Sequence, residues 1–338
     1  LIFNFLSSIL IARYFGPSDY GSYQYVLSIA IILSILTNFG YDRIFVKNIN
    51  SDTENTHKYV GNLILLKLIG SSIALVIGFF FYFLLDTTEL YILLILIILS
   101  HFISSFSLKI FFIGKNNNKL AYIAIILAVV FSFVIKLLLI HLEASIIYFG
   151  IPFVLEIIIS TIILFFFYSK YFDSPINIKY DINLAKKFLR ESYPIAFSTL
   201  SGVIYLYIDR VMLAQYGLFV ELGIYSIYIL FFSNIISIIH STINQILEPQ
   251  LVKIYLNKGT EIYQILLKNI LAFHILFSII LSIFYLFFLQ NFIAIIYGEA
   301  FNIFGNLIYF LAFNNIINAG FSLRVEYLVI KEKTNLIM

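Results

Sequence analysis

Long apolar runs separated by short polar clusters fill the chain from beginning to end. A transmembrane helix needs about 20 apolar residues, and these runs are too long and too continuous for the alternating strands of a membrane barrel. The pattern therefore predicts an all-α fold, a polytopic transmembrane bundle of about ten helices. The first helix ends near residue 12, and the others cover approximately residues 20–41, 59–85, 89–113, 120–141, 145–169, 193–216, 221–247, 263–289 and 303–330.

The composition indicates that lipid is the main solvent. Hydrophobic residues make up 62% of the 338 positions and charged residues 12%, whereas soluble domains have about 25% charged residues. No hydrophilic segment is long enough to form a separate soluble domain. The chain has no cysteine, which excludes disulfides, thiolate nucleophiles and cysteine-based zinc sites.

Lysine and arginine are concentrated in every second connection between the predicted helices. Four odd-numbered connections, Asp86–Glu89, His141–Ser145, Gly217–Glu221 and Gln290–Asn302, contain neither residue, and the remaining one contains Arg13. Cytoplasmic loops are rich in lysine and arginine, so the pattern predicts a multi-pass membrane protein with a cytoplasmic N-terminus. The basic residues of the even-numbered connections and the tail are Arg43, Lys47 and Lys58; Lys109, Lys115 and Lys119; Lys170, Lys179, Lys186, Lys187 and Arg190; Lys253 and Lys258; and Lys331 and Lys333.

The longest connection, 170–193, contains a second pattern. Within Asp181–Glu191, four apolar residues share one face of a helix, and basic residues surround the other face. This predicts a short interfacial helix on the cytoplasmic leaflet; an ordinary charged linker is the alternative. The apolar residues are Ile182, Ala185, Phe188 and Leu189.

Two connections resemble each other. In Ala12–Tyr23 and Ala214–Tyr225, an alanine, two tyrosines, an acidic residue and a glycine recur at the same spacing. Such a repeat favours two parallel six-helix halves: residues 1–170 form the N-terminal half, 171–192 a linker with an amphipathic helix, and 193–338 the C-terminal half. We then expect twelve helices, two of them outside this sequence. Alternatively, both segments are helix-start loops with common residues.

Recognisable catalytic motifs are absent from the sequence. The histidines lack metal-binding spacing, and there is neither a phosphate-binding glycine-rich loop nor a GxSxG motif. We therefore expect no enzyme activity, no metal site and no cofactor. Any function must depend on the few polar residues within the spans.

Four basic residues within the predicted spans are candidates for lining a cavity: Arg210, Lys67, Lys136 and Arg324. Ionisable groups inside a membrane usually face a bundle interior or a water-filled path. Arginine and lysine bind phosphate through charge-assisted hydrogen bonds, so these residues suit an anionic cargo. The alternatives are snorkelling to the interface for the first three and a position at a helix end for Arg324.

Two acidic residues are candidates for ion coupling. Glu156 lies near the middle of the sixth predicted helix, four residues after Pro152, which can kink a helix. A carboxylate beside a kink suits a proton or cation site; a neutral, hydrogen-bonded glutamate in a packed core is the alternative. Asp209 is adjacent to Arg210 and diverges from it by about 100° around the helix, so we expect Asp209 to face a neighbouring helix.

Several segments of the sequence resemble those of a known family. One departure is Phe15, which stands where that family often has leucine. The segments are Ala12–Gly21, Gly40–Arg43, Ser192–Ser198, Ile208–Leu213, Glu221–Ser226 and Glu248–Gln250. In this order and at these depths they resemble the Wzx-like polysaccharide biosynthesis flippases. The resemblance implies the twelve-helix fold of the multidrug and oligosaccharidyl-lipid exporters.

The resemblance also implies a function. The cargo would be an undecaprenyl-pyrophosphate-linked oligosaccharide, such as a repeat unit of O-antigen (lipopolysaccharide) or capsule. It would move from the inner to the outer face of the bacterial inner membrane by alternating access. The expected partners are that lipid-linked oligosaccharide, membrane lipids and other polysaccharide assembly proteins, and not nucleic acid. Alternatives are a drug exporter of the same fold, a peptidoglycan-precursor flippase and a membrane polysaccharide polymerase, although short odd-numbered loops argue against the polymerase.

Overall fold

The computed structural model describes residues 2–51, 56–83, 85, 87–172, 179–231, 265–266, 268–302 and 305–321, and within these ranges it contains helices and turns but no strand. The all-α prediction is confirmed. The helices are α1 (Ile2–Asn38), α2 (Tyr41–Ser51), α3 (Thr56–Phe80), α4 (Thr88–Ser104), α5 (Lys109–Gly114), α6 (Asn118–His141), α7 (Ile151–Tyr171), α8 (Ile182–Gln215), α9 (Phe219–Phe231), α10 (Lys268–Tyr297, with a π turn at Tyr285–Leu289) and α11 (Gly305–Phe321).

Several helices are long and apolar enough to cross a membrane, which makes this a multi-pass membrane protein. Within the described ranges there are six such spans: Ile2–Ile49, Thr56–Phe83, Asn118–His141, Ile146–Tyr171, Ile182–Gln215 and Lys268–Tyr297. The chain divides into two compact units, Leu1–Leu222 and Gly223–Met338. The division into two six-helix halves stays a prediction.

The chain reverses direction within α1, at Gly16. This residue has φ 71° and ψ 177°, outside the helical region. Before it, the Tyr14 hydroxyl donates a 2.9 Å hydrogen bond to the carbonyl of Ala144, beyond the end of α6. After it, α1 runs back until Asn38 lines a cavity together with Ala128, in the first half of α6. The first two predicted helices therefore form a hairpin broken at one residue, because glycine adopts positive φ without a Cβ clash.

The second segment of the suggested repeat also turns at a glycine. Gly217 has φ 73°, and no neighbouring atom would contact a Cβ at either Gly16 or Gly217. The rings of Tyr25 on α1 and Phe219 on α9 lie 6.4 Å apart, so the two turns are near each other. The similarity of the turns is compatible with duplication, which stays a prediction.

Connections of opposite charge lie at opposite ends of the first unit. At one end, a cavity of about 660 Å³ is lined by Asp19, Glu89 and Glu143 from the first, third and fifth connections; we call this the acidic end. At the other, Gly114 packs on Ile49, and the backbone at Gly61 touches that of residue 179. We call this second end, formed by connections 43–58, 109–119 and 170–190, the basic end. The charge alternation along the sequence is thus a separation in space.

A core of buried aliphatic and aromatic side chains closes the basic end. Phe188 of α8 is fully buried and stacks on Tyr59 of α3, with centroids 5.9 Å apart and an interplanar angle of 11°. The members of this basic-end core are Tyr41, Ile44, Phe45, Ile49, Tyr59, Val60, Leu63, Ile64, Leu66, Leu108, Phe111, Phe112, Ala121, Ala124, Leu164, Tyr168, Ala185 and Phe188.

The amphipathic segment after residue 181 is the beginning of α8 and not a separate helix. The Asp181 carboxylate caps it by accepting hydrogen bonds from the backbone N–H groups of Asn183 and Leu184, and α8 continues through Pro194 to Gln215. The helix expected to begin near residue 193 therefore begins eleven residues earlier, at Ile182. The expected leaflet-facing set is also divided. Ala185 and Phe188 join the basic-end core, while Ile182 and Leu189 stay exposed.

Replacing Phe188 with alanine should lower the free energy of unfolding by about 3–5 kcal/mol, because it leaves a cavity in the basic-end core. The matched control is Phe197→Ala on the same helix, where the ring is 62% exposed and the expected change is within about 0.5 kcal/mol. Denaturant unfolding in detergent micelles measures both values. Equal losses for the two variants would contradict the packing assigned to Phe188.

Candidate functional site

A polar cavity of about 300 Å³ lies among the helices of the first unit. Its lining residues come from α1 to α7, and four of them are ionisable. The polar lining residues are Asn38, Asp42, Lys67, Ser104, Ser107, Lys109, Glu156 and Ser160. We call this the polar cavity.

An ion pair forms one wall of the polar cavity. Lys67 Nζ lies 2.6 Å from Asp42 Oδ1, and the two side chains are 9% and 35% exposed. Asp42 reaches this position because the chain turns sharply between α1 and α2, where Phe39 and Gly40 have φ of 29° and 74°. Gly70, one turn after Lys67, has no side chain, so α3 lies directly against the backbone of α1. Both partners are therefore held by close packing of helix backbones.

Glu156, on α7, also lines the polar cavity. With Lys67, Lys109, Asp42 and Glu156 in its lining, the cavity contains two basic and two acidic groups. The lining charges thus balance in this structure, contrary to what a purely cationic cavity would show. An anion entering the cavity would have to replace Asp42 as the partner of Lys67, and a cation would find the carboxylates.

Pro152 does not kink the helix that carries Glu156. A 3₁₀ segment, Ile146–Gly150, precedes α7, and the proline lies in the first turn of α7. Proline is tolerated there because the first-turn N–H groups have no partner within the helix. The hydroxyl of Ser132 donates to the Pro152 carbonyl at 3.3 Å. The expected kink is therefore replaced by a change of helix type between Gly150 and Ile151, five residues before Glu156.

Lys136 and Arg210 are buried but do not line the polar cavity. The Lys136 ammonium lies 5.3 Å from the centroid of the Phe153 ring and interacts electrostatically with Glu156. The Arg210 guanidinium lies 4.8 Å from the Tyr207 centroid, and its Nε has no hydrogen-bond partner among the described residues. Arg210 thus retains a donor that a ligand could use.

Of the two remaining candidates, Asp209 and Arg324, the structure describes only Asp209. Asp209 Oδ1 accepts a 2.7 Å hydrogen bond from the backbone N–H of Arg210, and its side chain is partly exposed. Arg324 lies outside the described residues. No group of three or more histidine, aspartate or glutamate side chains in the described part of the chain could hold a metal ion.

Sequence reasoning identified part of this site. Lys67 and Glu156 were predicted, and the structure brings them to one cavity. Asp42 and Lys109 were missed because they appeared to be ordinary residues of a charged connection. The one available signal was the glycine at position 40, which allows the turn that directs Asp42 inward. The binding and coupling roles of all six candidates stay predictions.

Comparison with known proteins gives one match. The family model described as "Polysaccharide biosynthesis protein" matches residues 1–255, which include every described residue of the polar cavity. A search of curated proteins and a search of solved structures each find no match.

Proposed function

This chain belongs to the polysaccharide biosynthesis protein family, and from that premise we propose that it is a flippase for undecaprenyl-pyrophosphate-linked oligosaccharides. The cargo is a repeat unit of O-antigen or capsule type. It passes from the cytoplasmic to the outer face of the inner membrane by alternating access. The pyrophosphate and sugars travel among the helices, and the lipid tail stays in the bilayer.

The observation that carries this proposal is the pair of lysines in a polar cavity of an otherwise apolar bundle. A charged residue among membrane helices is energetically costly, and such residues usually serve a function. Lys67 is held in position by Asp42, so it is oriented before cargo arrives. A pyrophosphate can replace the carboxylate as the partner of Lys67 and gain charge-assisted hydrogen bonds from Lys109 as well.

Arg210, Lys136 and Arg324 complete the proposed set of cationic groups for the cargo. Arg210 has a buried guanidinium with an unused Nε, so a phosphate oxygen can accept a hydrogen bond from it. Glu156 and Asp209 are the proposed coupling groups. Glu156 interacts with Lys136 and lines the polar cavity, so protonation or cation binding there changes the field that an anionic cargo meets.

The orientation of the protein follows from the same charges. Cytoplasmic connections are rich in lysine and arginine, and we place the basic end at the cytoplasmic face with the N-terminus on that side. The polar cavity contains residues of the basic end, including Lys109. Cargo would thus load from the cytoplasm, handed over by other polysaccharide assembly proteins that act on the same lipid.

A cation exporter of the same fold is the second candidate, because two carboxylates balance the lysines of the polar cavity. A peptidoglycan-precursor flippase would use the same anion chemistry as the lead proposal. The two flippase proposals differ in which glycan the host fails to export when the gene is deleted.

The test is a gene deletion complemented with variants. The deletion should abolish surface glycan and leave single lipid-linked repeat units on the cytoplasmic face. Arg210→Ala should lower restored surface glycan at least tenfold, since each hydrogen bond to a charged group contributes about 1.5–3 kcal/mol.

The matched control is Arg43→Ala, an exposed arginine of the basic end that should restore surface glycan fully at equal membrane abundance. Intact glycan in the deletion strain, with altered sensitivity to cationic drugs, would instead favour the exporter. Loss of cell-wall precursor export would favour the peptidoglycan-precursor flippase.

A further inference from the structure

α8 is longer than a membrane requires. Its 34 residues extend about 50 Å at 1.5 Å per residue, whereas the hydrocarbon layer is about 30 Å thick. The excess lies at the basic end, because the charged residues of α8 are concentrated there between Lys186 and Glu191. The first three turns of α8 therefore lie at the depth of the lipid headgroups.

These turns have three different faces. One packs into the protein through Ala185 and Phe188. A second is apolar and exposed, and its residues Ile182 and Tyr193 are 66% and 63% exposed. A helical step of 100° per residue places the third, basic face directly beside the second.

The basic face consists of three exposed side chains. Lys187 is partly compensated by Glu191 at 3.9 Å. Lys186 and Arg190, one turn apart, have no ion-pair partner within the part of the chain that the structure describes. Two uncompensated cations therefore lie next to an exposed apolar stripe at headgroup depth.

We propose that this surface of α8 binds the headgroups of anionic phospholipids. Lys186 and Arg190 hold the phosphate, and Ile182, Leu189 and Tyr193 lie against the upper acyl chains. Lipid is the occupant that fits, because the exposed apolar stripe continues along α8 to residues such as Phe197 and Ile204 that belong to the span itself. The attraction of basic groups to anionic lipid next to a membrane span supports the same choice.

Bound lipid at this place would also fix the basic end of α8. Ile195, one turn and a half after Arg190, packs against Gly40 in the turn between α1 and α2. That turn directs Asp42 toward Lys67. The anionic lipid therefore stabilises the segment against which the polar cavity is built, whatever cargo the cavity takes.

The test uses tryptophan fluorescence, because the chain contains no tryptophan. The complete chain carrying Tyr193→Trp is placed in phosphatidylcholine vesicles with 10–30% phosphatidylglycerol, as a working range chosen to resemble anionic leaflets. Brominated phosphatidylglycerol should quench the fluorescence more strongly than brominated phosphatidylcholine at equal mole fraction. A second reporter, Tyr122→Trp, measures quenching at an exposed position on another helix, at the start of α6.

The charge variants decide the assignment. Lys186→Gln with Arg190→Gln should lower the preference for phosphatidylglycerol at residue 193 about 25-fold, since each basic group near an anionic surface contributes about fivefold. Lys115→Gln with Lys119→Gln should leave that preference unchanged, although it removes the same charge from the same end. Arg190→Lys keeps the charge and should keep the preference.

Three results would overturn the proposal. One is equal quenching by the two lipids at residue 193. The second is an unchanged preference in the variant of Lys186 and Arg190. The third is an equal loss in the variant of Lys115 and Lys119, which would show general leaflet electrostatics without a site on α8. Tryptophan emission and gel filtration establish that each variant is folded before quenching is measured.

Discussion

Gly70→Ala should destabilise the protein by at least about 3 kcal/mol, at the upper end of the cost of overpacking. A Cβ at this position would overlap the backbone carbonyl of Leu36 and contact the backbone of Thr37. A flexible side chain could move aside, but here a helix backbone is the obstacle. α1 and α3 would therefore have to separate, and the ion pair between Lys67 and Asp42 would be disturbed with them.

The matched control for this prediction is Gly202→Ala. No atom lies within 4 Å of a Cβ built at Gly202, which is in the middle of α8. Alanine is favoured over glycine within a helix by about 0.5–1 kcal/mol, so this variant should be as stable as the parent or more stable. Unfolding in detergent, followed by circular dichroism, measures both. A Gly70→Ala variant as stable as the parent would show that α1 and α3 are not in backbone contact.

Hydrophobic patterning predicted the helices because membrane spans must satisfy their backbone hydrogen bonds internally. It could not predict how the helices join. The break at Gly16 removes a loop that the polar residues around it appeared to require, and α8 continues through Pro194 where a boundary was expected. Both outcomes depend on the backbone angles of single residues and on tertiary packing. Neither of these produces a periodic pattern of hydrophobic residues in the sequence.

The site was predictable only where a charge stood inside an apolar run. Lys67 met that criterion, and so did Glu156. Asp42 did not, because the turn at Gly40 is what brings it to α3. The balance of charge in the polar cavity depends on Asp42, so the sequence suggested a cationic cavity where the structure shows paired charges.

The alternative to cargo binding is that Lys67 serves only to neutralise Asp42. A double-mutant cycle with Lys67→Met and Asp42→Asn separates the two roles. Each single change leaves one charge without its partner and should lower the free energy of unfolding by about 1–3 kcal/mol, less than for a fully buried pair because Asp42 is 35% exposed. The double variant should recover most of this loss, since a neutral pair of similar size needs no counter-charge.

Export of glycan should not follow stability through this cycle. If Lys67 binds the pyrophosphate, Asp42→Asn keeps export, because the lysine remains and the Asp42 carboxylate no longer competes with the cargo for it. Lys67→Met and the stable double variant should both lose export by at least tenfold, as expected for losing a charge-assisted hydrogen bond. Surface glycan in the complemented deletion strain, at matched membrane abundance, is the measurement. Export restored in the double variant would show that Lys67 has a structural role alone, and the cargo would then have to be held by Lys109 and Arg210.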